Sequence, residues 1–328
     1  MREPLPMMAA YLPMMKGAAM VSAGELGVFH HLARGPSTVD ETALACGASS
    51  KGTRALLDAL TAWGLTTRDG DRYANGDFVT RHFTPASKPD FTPGLVWTAE
   101  AWRITGDLTG AIRRGGPAAM LWEEMARRPG LGATFAKYME AIADLLSPLI
   151  LDAVELPIGA RTLLDVGGSH GLHTAAFCAR HPKLDAVIFD LAESLTTTQS
   201  LLDARGLSGR VRTRAGDATR DDFGGPYDVV LMLSVLHNQT LAHGEDLIRR
   251  AAKALAPGGV LVVHEHFRGP VPALFPAAFD LTLLVETGTA TVPTEAADRW
   301  IADAGLTITR RTELAGDGAG SLVVATKP

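Results

Sequence analysis

The stretch that decides the fold is LLDVGGSHGLHTAAFCARHP, which runs from Leu163 to Pro182. It has the pattern of a buried strand ending at Val166, a glycine-rich turn over residues 167–171 and a helix that begins near His173. Glycines between a strand and a helix let a ligand approach the backbone closely, in the crevice beyond the strand ends. The turn alone fits NAD, a flavin, another nucleoside cofactor or a tight turn without any ligand.

The C-terminal half alternates between strand and helix patterns. Several of its apolar runs are nearly continuous, as expected for strands that are buried on both faces of a parallel sheet. The predicted strands are Thr162–Val166, Ala186–Asp190, Val211–Ala215, Tyr227–Met232, Gly259–His266, Leu306–Arg311 and Ser321–Thr326. The predicted helices between them include Thr174–Arg180, Leu195–Ala204 and Gly244–Ala256. This pattern predicts a doubly wound, Rossmann-like α/β domain.

Carboxylates follow two further predicted strands. Asp190, followed by Leu191, stands where an acidic group can accept hydrogen bonds from both hydroxyls of a ribose. The next strand leads into Gly216, Asp217 and Ala218, where the acid could accept from an adenine amino group. The turn lacks the G-x-G-x-x-G spacing of NAD sites, because Val166 stands where the first glycine would be. The combination favours S-adenosylmethionine.

The N-terminal part predicts a winged helix. Apolar residues at helical spacing predict helices over Ala18–Ala33, from a capping start at Ser37 to Gly47, and from Ser49 or Ser50 to Gly64. A hairpin follows, with its turn at Asp69-Gly70-Asp71. The third helix carries only Lys51 and Arg54 as cations, which is too few for phosphate-driven binding of nucleic acid. A structural or dimerising role is therefore predicted.

The composition and length of the chain limit the classes of protein to which it can belong. The chain has 328 residues, 46% of them hydrophobic and 20% charged, with a formal net charge of −5, as in globular proteins with no preference for nucleic acid. The only cysteines are Cys46 and Cys178, so a cytoplasmic location without disulfides is predicted. The apolar N-terminus is interrupted by Pro6, Pro13 and Lys16, and no membrane span is expected. The predicted domains are 1–90 (winged helix), 91–157 (helical linker) and 158–328 (cofactor-binding domain).

Nearly the whole chain resembles one family. The residues that carry the resemblance are Glu25–Phe29, Leu56–Leu60, Phe135–Met139 and the glycine motif, in which Ser169 replaces a third glycine. The chain resembles the class I S-adenosylmethionine-dependent methyltransferases, specifically the plant-caffeate and bacterial antibiotic-tailoring O-methyltransferases. The resemblance implies a homodimer formed through the N-terminal domain.

The resemblance also implies a set of cofactor contacts. Gly167, Gly168 and Gly171 are expected to border the methionine part, Asp190 and Leu191 the ribose and adenine, and Gly216, Asp217 and Ala218 the adenine edge. The family has a cofactor-contacting lysine four residues before its catalytic histidine. Leu233 occupies that position here, and Ser234 is expected to take over the contact.

The fourth predicted strand leads into His237, a candidate general base. A neutral imidazole, with an ordinary pKa of about 6.5, can take a phenol proton near pH 7. Glu265 follows the fifth strand, and the resemblance implies that it fixes the tautomer of His237 and stabilises the imidazolium. A buried structural histidine and a solvated carboxylate are the alternatives for these two residues.

This chain departs from the family after the histidine and before the last helix. Asn238 and Gln239 replace an Asp and a Trp, and Val292-Pro293-Thr294 occupies the place of a second glutamate. The absence of that carboxylate is expected to leave His237 less basic. His264 and His266 alternate on one strand and could approach a metal, but Asn238 is a poor iron ligand, and no metal is predicted.

The acceptor pocket is expected to be apolar. The residues predicted to line it are Phe135, Met139, Ile142, Met232, Phe279 and Leu283. These observations predict an O-methyltransferase that acts on an aromatic or polyketide-like small molecule of secondary metabolism. A C- or N-methyltransferase acting on a keto acid or a heteroaromatic compound, and a homologue that no longer transfers methyl groups, are the alternatives.

Overall fold

The computed structural model describes residues 5–316 and 318–328, so residues 1–4 of the predicted N-terminal domain and Asp317 lie outside the described part. The helices are α1 (Met8–Glu25), α2 (Val28–Leu32), α3 (Val39–Ala45), α4 (Ser50–Ala62), α5 (Asp77–His82), α6 (Thr92–Thr105), α7 (Leu108–Arg114), α8 (Leu121–Arg127), α9 (Pro129–Ala153), α10 (Leu172–Arg180), α11 (Thr198–Asp203), α12 (Leu241–Ala254), α13 (Leu274–Glu286) and α14 (Thr294–Asp303). The strands are β1 (Ser37–Thr38), β2 (Thr66–Asp69), β3 (Arg72–Asn75), β4 (Thr162–Val166), β5 (Asp185–Asp190), β6 (Val211–Ala215), β7 (Tyr227–Leu233), β8 (Leu255–Glu265), β9 (Thr307–Glu313) and β10 (Ser321–Thr326).

The chain divides into two compact units. One contains the residues up to Gly106 together with Glu124–Ile142, and the other contains Asp107–Glu123 together with Ala143–Pro328. The predicted boundaries at residues 90 and 157 stay predictions.

The first unit contains the winged helix that the sequence predicts. Its sheet is antiparallel, with the strand order β1-β3-β2. Helix α3 begins with a capping box, in which the Thr38 hydroxyl accepts from the backbone N–H of Glu41 and the Glu41 side chain accepts from the backbone of Thr38. Phe29, Leu57 and Tyr73 are fully buried between helices and sheet.

The predicted single helix over Ala18–Ala33 is wrong in one respect. Gly27 has φ 73° and separates α1 from α2. Because that left-handed conformation is disfavoured for residues with a Cβ atom, the glycine permits a break that the apolar spacing on either side does not reveal.

The second unit is built on a seven-stranded sheet with the order β6-β5-β4-β7-β8-β10-β9. The first five strands in this order are parallel, and β10 runs antiparallel to both β8 and β9. The Rossmann-like fold is therefore confirmed. The prediction for β8 began too late, since the strand starts at Leu255, which pairs with Tyr227 despite the following Pro257-Gly258-Gly259.

The strand order determines where the ligand-binding crevice of this sheet lies. From β4 the chain runs outward through β5 and β6, and it then returns to add β7 and β8 on the other side of β4. In open parallel sheets, ligands bind beyond the carboxyl ends of the strands at such a switch point. The loops that follow β4 and β7 meet there.

The core of this unit is formed by apolar strands that are covered by helices. Leu164, Val230 and Leu261 of three neighbouring strands are fully buried, and Leu247 of α12 and Trp300 of α14 belong to the same cluster. Within the described residues, no helix is both long and apolar enough to span a bilayer. Cys46 and Cys178 are both free.

Candidate functional site

The glycine-rich turn after β4 is tightly packed. A Cβ atom on Gly168 would lie 2.6 Å from the carboxyl of Asp165, and one on Gly167 would lie 2.6 Å from Val235 in the loop after β7. Gly167 also has φ 74°, and its N–H donates to the carbonyl of Phe189 (2.8 Å). A side chain on Gly167 would push the turn away from the loop after β7, and one on Gly168 would clash with Asp165 at the end of β4, so this turn requires glycine at both positions. Gly171 precedes α10 as its N-cap.

Ser169 keeps the backbone conformation of the glycine that it replaces. Its φ is 41°, in the left-handed region that a residue with a side chain rarely adopts. Its N–H donates to Oδ2 of Asp190 (2.9 Å), and its carbonyl accepts from the hydroxyl of Thr198 (2.6 Å). The turn therefore keeps its shape at the expense of backbone strain.

Asp190, at the end of β5, has hydrogen-bonding capacity left over. Oδ1 accepts from the N–H of Leu191 (2.7 Å) and Oδ2 from that of Ser169. The backbone leaves one lone pair on each carboxylate oxygen, of which the side chain of Ser194 uses one, and the Asp190 side chain is only partly buried. Burial raises the pKa of Asp190, although the two backbone N–H groups and the side chain of Ser194 oppose the shift. Leu191, the next residue, is 49% exposed.

The end of β6 lies beside Asp190. The N–H of Gly216 donates to the carbonyl of Asp190 (2.9 Å), and a Cβ atom on Gly216 would lie 2.4 Å from the Phe189 ring. Asp217 accepts at Oδ1 from the N–H (2.9 Å) and the hydroxyl (2.7 Å) of Thr219, and these bonds lower its pKa. Both carboxylates therefore already accept hydrogen bonds from within the protein. Ala218 packs against the core cluster.

The residues of the two predicted cofactor strands therefore fit a nucleoside. A partly buried carboxylate with a free lone pair stands beside a turn of closely packed backbone, which is the donor and acceptor set that a ribose diol requires.

The candidate base follows β7 in a short 3-10 helix, Leu236–Asn238. His237 is 8% exposed, and its Nδ1 lies 2.8 Å from Oε2 of Glu265. Oε1 of Glu265 accepts from the N–H groups of Leu236 (2.6 Å) and His237 (3.3 Å). Because a carboxylate only accepts, the proton of the neutral ring is on Nδ1, and the lone pair on Nε2 is available.

Opposing effects set the proton affinity of this pair. Burial by itself lowers the pKa of His237, but the charge and hydrogen bond of Glu265, together with the charge of Glu286, raise it above its usual value. Burial alone would raise the pKa of Glu265, but the charge and hydrogen bond of His237 bring it below its usual value. Glu265 therefore stabilises the imidazolium that forms when Nε2 of His237 takes a proton, in spite of the burial of both groups.

Glu286 is a carboxyl that the sequence analysis missed. Its charge acts on His237 together with that of Glu265, although Val292-Pro293-Thr294 carries no carboxylate, and the expectation that His237 is less basic than in the family stays a prediction. Phe279 of the same helix packs its ring against that of His237, with centroids 5.1 Å apart. The helical spacing of Phe279, Leu283 and Glu286 was the available signal, since it places all three on one face.

Ser234 is exposed and, with φ 59°, is strained in the same way as Ser169. Its N–H donates to the carbonyl of His264 (2.8 Å), and its hydroxyl lies 3.1 Å from Nδ1 of that ring. His264 donates from Nε2 to the carbonyl of Ala319 (2.7 Å), so Nδ1 accepts from Ser234. Both nitrogens of His264 are therefore engaged.

His266 stands outside these networks. Burial, followed by the charge on His264, lowers its pKa to about 4, and its ring packs against Phe275 and Phe279. In the part of the chain that the structure describes, no three metal-ligating side chains come together.

The predicted acceptor residues lie in different units, and their roles stay predictions. Phe135, Met139 and Ile142 belong to the first unit, where Phe135 packs against Trp97 with centroids 4.7 Å apart. Met232 and Leu283 of the second unit are 0% and 2% exposed, which favours packing. Phe279 is only partly buried and contacts His237.

Two families match the chain. Residues 110–297 match the O-methyltransferase domain, and residues 10–83 match the O-methyltransferase dimerisation domain. The first match covers more than half of the 328 residues. The second supports a homodimer.

Individual relatives extend over nearly the full length. The chain is 28% identical to 3-hydroxy-5-methyl-1-naphthoate 3-O-methyltransferase of Streptomyces sahachiroi, over 95% of this chain and 92% of that protein. It is 30% identical to the tetracenomycin polyketide synthesis 8-O-methyl transferase of Streptomyces glaucescens, over 94% and 93%. A solved O-methyltransferase family protein from Burkholderia thailandensis superposes with a TM-score of 0.86, at 25% identity over 99% of both chains.

These matches confirm the predicted family, the enzyme class and the cofactor. The chain therefore belongs to the O-methyltransferase family, with an N-terminal dimerisation domain and a methyltransferase domain that uses S-adenosylmethionine.

Proposed function

We propose that this protein transfers a methyl group to a hydroxyl of an aromatic or polyketide-like small molecule, with His237 as general base and Glu265 as its orienting partner. The observation that carries the proposal is the 2.8 Å contact between Nδ1 of His237 and Glu265, which leaves Nε2 free to accept a proton. The acceptors in the names of two relatives, a hydroxynaphthoate and a tetracenomycin-type polyketide, support an aromatic acceptor.

The residues at the ends of β4, β5, β6 and β7 are proposed to bind the cofactor. When bound, S-adenosylmethionine would supply a methyl group that is attached to a positively charged sulfur. The methyl group is transferred to the acceptor oxygen, and the sulfur keeps the bonding electrons as a neutral thioether. Asp190 would hold the ribose hydroxyls through the lone pairs that the backbone leaves free. The proposed contacts are Gly167, Gly168, Gly171, Asp190, Leu191, Gly216, Asp217, Ala218 and Ser234.

The chain's own contribution to the chemistry is to move a proton and to stabilise the resulting charge. Nε2 of His237 takes the proton of the acceptor hydroxyl, which makes the oxygen a stronger nucleophile. The imidazolium that forms is stabilised by Glu265 at 2.8 Å. Since Glu265 also accepts two backbone N–H groups, the carboxylate holds both the ring and the chain segment that carries it.

Three assignments accompany this proposal. Phe135, Met139, Ile142 and Phe279 are proposed to contact the acceptor, with Met232 and Leu283 packing behind. The protein is proposed to act as a homodimer through residues 1–90, which the dimerisation-domain match supports. Light scattering on the full chain should give twice the mass of one chain, and a monomer would contradict the dimer.

Labelled S-adenosylmethionine and a panel of phenols, quinones and keto acids test the activity. We expect label on a phenolic oxygen of at least one acceptor. His237→Gln should lower turnover about 10²–10⁴-fold, because it removes the base. Binding of S-adenosylhomocysteine, measured by calorimetry, should change little in this variant.

The outcomes separate the candidate reactions. Label on carbon or nitrogen in the product would replace the O-methyltransferase assignment by one of the alternatives. Unchanged turnover in His237→Gln would reduce His237 to a structural residue. Tight cofactor binding without any methylated product in the panel would favour a homologue that no longer transfers methyl groups.

A further inference from the structure

Glu286 faces the predicted base from α13. It is the last residue of that helix, and it shares one helical face with Phe279 and Leu283. The Phe279 ring packs against the His237 ring with a centroid distance of 5.1 Å and an interplanar angle of 70°. The side of α13 that carries Glu286 is therefore the side turned toward His237.

The Glu286 carboxyl has no partner among the residues that the structure describes. It accepts no hydrogen bond and forms no ion pair there, although it is partly buried. Burial raises its pKa to about 7, and the charge on His237 acts in the opposite direction. A carboxyl that is partly withdrawn from water without a protein hydrogen bond destabilises the fold, and strongly perturbed groups are often retained for function.

Asp280, on the same helix, shows what a structural carboxylate looks like here. Its Oδ1 accepts from the N–H (2.6 Å) and the hydroxyl (2.7 Å) of Thr291, and Oδ2 lies 3.2 Å from Arg268. Asp280 thereby ties α13 to the segment that precedes α14. Glu286 forms no such hydrogen bond or ion pair with another described segment, so its carboxyl is available to a bound molecule.

The charges around Glu286 select the kind of group that it can accept. The titratable group that acts on Glu286 is His237, which is itself paired with Glu265. Taking a proton makes His237 a cation, so a second positive charge on the acceptor would oppose that step. A neutral donor such as a hydroxyl does not.

The neighbouring rings suit a flat acceptor. Phe275 and Phe279 are stacked with centroids 5.8 Å apart, and His266 packs against both. Phe275 is 42% exposed, so part of this aromatic surface is open. Aromatic pairs of this kind favour planar apolar partners.

We propose that Glu286 determines acceptor specificity by accepting a hydrogen bond from a second hydroxyl of an aromatic acceptor whose first hydroxyl gives its proton to His237. This inference rests on the proposed function. It predicts that the protein prefers aromatic compounds with two hydroxyls over those with one.

Three probes test the preference, namely 2-naphthol, 2,3-dihydroxynaphthalene and 1,3-dihydroxynaphthalene. Their affinities are measured by calorimetry on the full protein saturated with S-adenosylhomocysteine, so that no methyl transfer takes place. We expect the wild type to bind at least one diol about tenfold more tightly than 2-naphthol, since a hydrogen bond to a charged group contributes about that factor.

The variants assign the preference to the carboxyl. Glu286→Leu should bring the affinity ratio close to one, and Glu286→Gln should keep part of it, since an amide oxygen still accepts. Glu295 is exposed on α14, and Glu295→Leu serves as the matched control that should keep the wild-type ratio. Thermal melting checks that all variants are folded.

Equal binding of the three probes by the wild type, or binding of none, would overturn the inference. A Glu286→Leu variant that keeps the preference would also overturn it. Because the measurement excludes turnover, a diol preference that depends on Glu286 in a protein without methyl transfer would contradict the proposed function only.

Discussion

Two sides of one crevice use carboxylates in different ways. At the end of β5, Asp190 accepts two backbone N–H groups and has a lone pair left over in a partly exposed position. At the end of β8, Glu265 accepts two backbone N–H groups and also the ring of His237, at 1% exposure. A partly exposed acid with a spare lone pair can bind a ligand, whereas an acid that is fully buried against the residue it holds can only orient that residue.

The pKa shifts follow the same division. Burial raises the pKa of Asp190, because its backbone partners and Ser194 compensate only in part. For Glu265, burial acts in the same direction, but the imidazole and the backbone outweigh it and the pKa is lowered. Removal of each charge should therefore change a different property of the enzyme.

The largest effect is expected for Glu265→Gln. The amide would face Nδ1 of His237 with either a donor or a weaker acceptor, which disturbs the tautomer and removes the charge that stabilises the imidazolium. We expect kcat/KM to fall about 10²–10⁴-fold. Since Glu265 raises the pKa of His237, the acidic limb of the pH–rate profile should move to lower pH. A limb that stays in place would contradict the pairing.

Asp190→Asn should affect the cofactor instead. Loss of the charged acceptor is expected to weaken S-adenosylhomocysteine binding about 10–100-fold, as for other hydrogen bonds to charged groups. Calorimetry measures the affinity, and the pH–rate profile at saturating cofactor should keep its acidic limb. Glu265→Gln is the matched control, with nearly unchanged cofactor affinity. Equal losses of affinity in both variants would remove the distinction between the two sides.

Glu286→Gln should stabilise the protein in the absence of ligands. The folded-state pKa of about 7 lies above the ordinary value of 4.5, so the proton is held more tightly in the folded state. Stability from this group is therefore lost as pH rises from about 4.5 through about 7. In denaturant unfolding at pH 8, the free energy of unfolding should be about 1–2 kcal/mol higher for the variant than for the wild type, and the difference should be smaller at pH 5. A loss of stability at pH 8 would indicate a structural role.

The smallest effect concerns the strained serine at the cofactor side. Ser169→Gly keeps the N–H that donates to Asp190 and removes the strain of a side chain at φ 41°. The free energy of unfolding is expected to rise by about 0.5 kcal/mol. Ser234→Gly relieves φ 59° but loses the hydrogen bond to His264, so it should gain less or nothing. Thermal melting of the two variants compares them directly, and a larger gain for Ser234→Gly would contradict the hydrogen bond.

Local signals in the sequence were sufficient for most of the sheet. Strands β4, β6 and β10 were predicted residue for residue, because each is a short run that turn residues bound on both sides. The break between α1 and α2 at Gly27 was missed, since a single glycine inside an apolar run does not by itself end a helix.

The sequence by itself determined the Rossmann-like and winged-helix units and the positions of Asp190, His237 and Glu265 at strand ends, because period, glycine placement and strand-end chemistry are local properties. Only the tertiary structure decided that Glu286 faces His237, and that Glu265 is fully buried against His237 while Asp190 stays partly exposed. The physical reason is that burial and hydrogen-bond partners depend on segments that are far apart in the chain. These segments meet only when the helices cover the sheet.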